Sequence, residues 1–206
     1  LFIHADTLKI LLDSIDKVDQ LHAYRHMKFY RNDFQGMSDS MVYIIKDSTV
    51  YFYHDPVIWY EENQFKSDEI KLVMQNGNLD SVLFNRNVFL IAQDTIDSNF
   101  YNQIKGNSMV GWFKNNSMYK LRVYENSETI YFLWEEDLTP VGMTRISASD
   151  MLIFLKNNRL ETITYQKEPK AKLYPMHQIP QEELKFNGFI WLDDRRPKKK
   201  EDIFIW

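Results

Sequence analysis

One short pattern recurs five times along this chain of 206 residues and constrains its fold more than any other feature. A pair of small or polar residues stands at Ala5-Asp6, Ser38-Asp39, Ser67-Asp68, Gly106-Asn107 and Ser149-Asp150, at intervals of 33, 29, 39 and 43 residues. The positions two and four residues later are apolar in each copy except Gly111. Alternate residues of a β-strand share one face, so each copy predicts the start of a strand with one apolar face.

Alternation also dominates between these copies. Short segments rich in β-branched and aromatic residues predict strands at 41–45, 50–53, 69–73, 119–124 and 129–133. Residues that tolerate tight turns separate the segments, at Asp47-Ser48, Asn76-Gly77, Asn115-Asn116 and Asn157-Asn158. Helical spacing is weak and confined to Thr7–Leu21 and Gln181–Phe186. The sequence therefore predicts an all-β protein.

Four of the copies continue as a hairpin with a second regular feature. An apolar residue is followed five positions later by Asn, Asp or Glu, from Val50 to Asp55, Val82 to Asn87, Leu121 to Asn126 and Ile163 to Glu168. Such a hairpin cannot bury its apolar face alone, so neighbouring copies must stack. Because the intervals are unequal, we expect a folded antiparallel sheet stack of about five hairpins rather than a regular β-helix. We expect this repeat domain over 1–183, with a closing strand and a basic tail over 184–206.

Composition and charge exclude several classes of protein. A hydrophobic share of 44% is typical of a globular domain. The chain contains no cysteine, which excludes disulfides and Cys-ligated metals. A net charge of −4 gives no overall attraction to nucleic acid, and no apolar run is long enough for a spanning helix. The chain begins at Leu1 with no signal-peptide pattern, and we therefore interpret it as a piece of a longer protein.

Chemical motifs are weak throughout. His22 and His26 have the spacing of a metal pair only on a helix, so in a strand we expect no metal site and no cofactor. Acidic groups at 61–62, 135–137, 182–183 and 193–194 fall at predicted turns, which favours solvated charge over glycosidase carboxylates. We therefore predict no enzymatic activity.

Two further features leave binding functions open. The basic run at 195–200 is short and lacks interleaved aromatic residues, so we expect a solvated tail and no nucleic-acid partner. We expect four tryptophans to be buried in the sheet stack, namely Trp59, Trp112, Trp134 and Trp191. If their rings were exposed, they could stack on sugars, as in a glycan-binding module.

The repeats resemble the OstA-like family, the LptA-type lipopolysaccharide-transport proteins, and in particular the larger OstA-like proteins of Bacteroidetes-type bacteria. The residues that carry the resemblance are Phe34–Met41, Asp55–Trp59, Phe65–Ile70, Tyr101–Gly106 and Asn126–Tyr131, with Phe189–Trp191 and Arg196-Pro197 near the end. Where the family usually has Gly before the Asn of the last turn, this chain has Glu125.

The resemblance implies a β-jellyroll in the periplasm whose apolar groove shields acyl chains of lipopolysaccharide or lipid A during export. It also implies edge-strand pairing with other lipopolysaccharide-transport proteins or with a second copy. A closed structural module, or a glycan-binding one, is the alternative. Counting by alternation from the repeated pairs predicts these groove residues: Met41, Tyr43, Val50, Phe52, Ile70, Leu72, Val82, Phe84, Met109, Leu121, Val123, Ile130, Phe132, Leu152, Phe154 and Ile163.

Overall fold

The computed structural model describes residues 1–156 and 159–206, and within them sixteen strands pair antiparallel into one sheet. The all-β antiparallel prediction is confirmed. The predicted turn Asn157-Asn158 lies outside the described residues. The strands are β1 (Phe2–His4), β2 (Thr7–Leu12), β3 (Val18–Arg31), β4 (Phe34–Ile44), β5 (Thr49–Tyr53), β6 (Val57–Tyr60), β7 (Asn63–Lys66), β8 (Glu69–Gln75), β9 (Asn78–Gln93), β10 (Tyr101–Lys114), β11 (Ser117–Tyr124), β12 (Ser127–Trp134), β13 (Pro140–Ala148), β14 (Asp150–Lys156), β15 (Arg159–Gln166) and β16 (Lys170–Pro175).

A row of five bulges crosses the sheet, one in each repeat. The bulges are the residue pairs 25–26, 54–55, 86–87, 125–126 and 167–168, and all ten residues have positive φ. Opposite each bulge, a backbone N–H donates to the carbonyl oxygen of the first bulge residue at 2.9 to 3.3 Å; the five donors are Asp6, Asp39, Asp68, Asn107 and Ser149. Paired bulges re-aim a strand, so the sheet bends along this row, which we call the corner.

The corner divides the sheet into two half-sheets. The first contains β2, β5, β8, β11, β14 and β15, the second contains β1, β6, β7, β12, β13 and β16, and the long strands β3, β4, β9 and β10 cross from one to the other. Phe65 pairs with Leu90, which would stand roughly 20 Å along a straight strand from Phe84. The rings of Phe65 and Phe84 are nevertheless 5.0 Å apart, because the half-sheets fold face to face.

The space between the half-sheets, here called the interior, is filled by apolar side chains from both. Phe29 of the second half-sheet contacts Phe52 of the first at 5.4 Å between ring centroids, and Tyr60 contacts Phe113 at 5.2 Å. Ile70 and Met109 are fully buried at the centre. The main core of the protein therefore lies inside the fold, as the alternating pattern predicts.

Residues 176–206, here called the strap, cover the outer face of the second half-sheet. Three buried glutamines from β4, β7 and β10 bind the strap: Gln35 accepts from Arg196, Gln64 bonds to the backbone of Ile190 and Leu192, and Gln103 bonds to the backbone of Leu184 and Phe186. The strap also covers a second apolar cluster that includes Phe89, Ile91, Phe132 and Met143.

The strap differs from the predicted closing strand and solvated tail. Its described regular structure consists of four 3-10 helices, Met176–Gln178, Gln181–Glu183, Asp193–Arg195 and Lys200–Phe204. The reason is local: glutamine side chains, rather than a neighbouring strand, hold its backbone groups, and the prolines at 180 and 197 have no N–H to donate. Arg196, predicted in a solvated tail, is only 12% exposed in its side chain.

Candidate functional site

Most of the predicted groove residues lie together in the interior. Twelve of the sixteen pack in or against the main core, namely Met41, Tyr43, Val50, Phe52, Ile70, Leu72, Val82, Phe84, Met109, Leu121, Val123 and Ile163. They come from the first half-sheet and face residues of the second, such as Phe65 and Leu90. The interior is thus a continuous apolar layer, and its centre is occupied by the protein's own side chains.

Leu152 and Phe154 lie on the other face of β14. In this strand Met151 and Ile153 are buried in the main core, whereas Phe154 is 37% exposed on the outside. The count from the repeated pair fails because the residue that bonds across the corner is Ser149, not Asp150. A shift of one residue exchanges the two faces of a strand, so the inward residues are Met151 and Ile153.

Ile130 and Phe132 also lie outside the interior, buried beneath the strap. Thr129, at an inward position of β12, is polar instead: its hydroxyl is 2.8 Å from the Tyr165 hydroxyl, inside the fold. Burial raises the pKa of Tyr165 and of Tyr131. Apolar character alone therefore predicts the wrong orientation for Ile130 and Phe132, because the strap buries the outward residues of β12 as well.

The interior face becomes exposed at the edge of the sheet formed by β2. Leu8, Ile10 and Leu12 are 52%, 58% and 55% exposed, although they stand at positions equivalent to the buried residues Met41 and Ile70. The second half-sheet ends here in β1, which has only three residues and cannot cover them. We call these three residues the β2 patch; alternation from Asp6 marks Leu8 and Ile10, which were not among the predicted groove residues.

The opposite edge is open too. Leu160 of β15 is 42% exposed and Leu173 of β16 is 60% exposed, both at inward positions. Each of the four outermost strands, β1, β2, β15 and β16, pairs with one neighbour among the described residues. The fold therefore has two edges at which an apolar interior and unpaired backbone groups are both accessible.

A polar cavity of about 440 Å³ lies over the corner, outside the interior. Its lining includes Lys66, Asp68, Asn87, Lys105 and Asn107, and none of the sixteen predicted groove residues. Its charges and amides do not suit an acyl chain.

The other groups singled out in the sequence do not converge. His26 belongs to a corner bulge and is 2.9 Å from Asp6, and His22 lies on an outer face beside Gln20. Within residues 1–156 and 159–206, no three His, Cys, Asp or Glu residues are grouped as metal ligands, and no helix is long and apolar enough to span a membrane. Trp59 is fully buried, while Trp112, Trp134 and Trp191 are half-buried.

The fold, a folded antiparallel sheet with two open edges, is of the LptA-like β-jellyroll type. The chain is similar in structure to LptH from Pseudomonas aeruginosa, described as the LptA-homologous periplasmic component of the conserved lipopolysaccharide transport device. The TM-score is 0.52 at 9% sequence identity, over 70% of this chain and 98% of LptH. No protein-family model matches the chain, and no curated protein matches it. The resemblance stated from the repeats is confirmed at the level of the fold.

Proposed function

We propose that this protein is a non-enzymatic carrier of lipopolysaccharide or lipid A acyl chains in the periplasm. The observation that carries the proposal is the apolar interior that continues into solvent at the β2 patch, where three leucine and isoleucine side chains are more than half exposed. A soluble protein rarely leaves such a face uncovered without a ligand or partner for it. The structural similarity to LptH supports the same role.

The energetics favour acyl chains as the ligand. Each buried methylene contributes about 0.8 kcal/mol, so a chain of ordinary length needs no polar contact to bind. Because Phe65 and Phe84 are in contact at the centre, an acyl chain first occupies the open edge and enters further only if the half-sheets separate. The β2 patch is therefore the site of first contact.

The unpaired edges supply a means of assembly. Strands β1 and β2 lie at one edge and β15 and β16 at the other, so a second copy or another lipopolysaccharide-transport protein can add strands at either end. Such pairing would place the β2 patch of one molecule against Leu160 and Leu173 of the next, covering the exposed apolar residues of both.

A closed structural module is the second candidate. It is favoured by the complete burial of Ile70 and Met109 and by the ring contacts across the interior. In that case the apolar residues at the edges would contact a neighbouring protein and never a lipid.

A pair of double variants on one strand distinguishes these functions. In L8D/I10D, charge is placed on the inward face of β2, at side chains already more than half exposed, so we expect the variant to fold. The matched control T7D/K9D places the same residues on the outward face of β2. We expect lipid A to displace a fluorescent acyl probe from the wild type and the control, and L8D/I10D to bind the probe at least tenfold more weakly, roughly the effect of losing two buried methylenes.

Equal probe binding by all three proteins would exclude the β2 patch as the site that contacts acyl chains. Absence of probe binding by the folded wild type would favour the closed structural module.

A further inference from the structure

The two outer faces of the fold differ. The strap covers the second half-sheet, bound through Gln35, Gln64 and Gln103, while the outer face of the first half-sheet is bare among the described residues. From β3 to β14 this bare face spans eight strands, roughly 35 Å at the usual strand spacing. We call it the open face.

Aromatic residues with polar ends are concentrated on the open face. They alternate with the inward residues of their strands and are partly exposed: Tyr24 on β3, Tyr51 and Tyr53 on β5, Trp112 on β10 and Tyr124 on β11. The Tyr51 and Tyr53 rings stack at 6.1 Å. Tryptophan and tyrosine side chains of this kind favour the boundary between water and the lipid headgroups of a bilayer.

Cations lie over these rings. The Lys120 ammonium is 4.7 Å from the Trp112 ring, and Lys71 is 5.4 Å from the Tyr51 ring. The guanidinium of Arg122 is 4.8 Å from the Tyr124 ring, and its buried Nε has no hydrogen-bond partner among the described residues.

The cations of the open face are not held in direct ion pairs. In the described part of the chain, Lys71, Lys120 and Arg122 form no ion pair. Of the nearby carboxylates, Glu69 lies on the outward side of β8, Asp80 in the bulge of β9 accepts a hydrogen bond from Ser81, and Asp150 at the end of β14 is bound to Lys167 at 2.7 Å. Three cations without an ion pair therefore lie on one face of a chain whose net charge is −4, and they favour an anionic partner.

We propose that the open face docks on the headgroup layer of an anionic lipid bilayer. A broad sheet face can lie against a membrane surface, where the rings supply interfacial contacts while Lys71, Lys120 and Arg122 face lipid phosphates. A glycan that stacks on the aromatic rings fits less well, because the cations already cover the faces of Tyr51, Trp112 and Tyr124.

Co-sedimentation with vesicles tests the proposal. We expect the wild-type protein to sediment with vesicles of phosphatidylglycerol and phosphatidylcholine at low salt and to be released at high salt. It should not sediment with vesicles of phosphatidylcholine alone. In K71E/K120E, the affinity for the anionic vesicles should fall at least about tenfold, given the contribution of each basic residue at such a surface.

The matched control is K17E/K46E, which makes the same change of charge at two exposed lysines in the β2–β3 and β4–β5 turns, outside the strands of the open face. It should bind vesicles within about threefold of the wild type. An equal loss in both variants would overturn the proposal in favour of a net-charge effect. Absence of wild-type binding, or equal binding to phosphatidylcholine alone, would overturn it as well.

Discussion

Replacing Gln64 with methionine tests how the strap is held. The Gln64 side chain is 1% exposed; its Nε2 donates to the Ile190 carbonyl at 2.7 Å, and its Oε1 accepts from the Leu192 N–H at 2.7 Å. Methionine keeps the length and shape of the side chain and removes both hydrogen bonds. Two backbone groups are then left without partners in a buried position.

Each unsatisfied buried group costs about 1–3 kcal/mol, so Gln64→Met should destabilise the docked strap by about 2–6 kcal/mol. The strap can reach water by detaching, which confines the effect to it. We therefore expect hydrogen exchange at the Leu192 amide to accelerate at least about 30-fold, as about 2 kcal/mol dictates, while amides of the interior such as Ile70 keep their protection.

The control is Gln75→Met, at an exposed glutamine near the β8–β9 turn. It should leave exchange at Leu192 unchanged. Unchanged protection of Leu192 in Gln64→Met, or an equal loss of protection at Leu192 and Ile70, would contradict this role of Gln64.

Two further predictions concern the face assignment and the corner. Phe84→Ala should lower the free energy of unfolding by about 3–5 kcal/mol because it empties a buried site, whereas Phe154→Ala on the open face should cost below about 1 kcal/mol; similar values in urea denaturation would contradict the assignment. Lys167 holds the pKa of Asp150 below its usual 3.8. Asp150 therefore stabilises the fold above that pH, and the stability is lost as pH falls through the lowered pKa. In Asp150→Asn, urea midpoints between neutral and acid pH should fall less steeply than in the wild type, and an identical decline would exclude this role.

The repeat could be predicted from sequence because it has a backbone cause. Residues that tolerate positive φ, such as Asn87 and Asn126, recur at a fixed distance from an apolar strand residue, and each proves to be the second residue of a corner bulge. Alternation from the paired residues then places Met41, Ile70 and Met109 correctly in the interior.

The remaining positions depended on contacts that no local pattern encodes. In the fifth repeat either Ser149 or Asp150 fits the pattern. Only the structure shows that the Ser149 backbone N–H, and not that of Asp150, donates across the corner to the Lys167 carbonyl oxygen. Ile130 and Phe132 are apolar because the strap covers them. That contact depends on glutamine side chains, which carry no hydrophobic signal and lie 81 to 161 residues away from their partners along the chain.

Native mass spectrometry of the protein with lipid A that bears a photoactivatable acyl chain, against a detergent-only control, tests whether the interior receives acyl chains. We predict a stoichiometric complex, with crosslinks at the β2 patch and at interior residues such as Tyr43. A folded protein that forms no complex, or one crosslinked only on the strap, would contradict it.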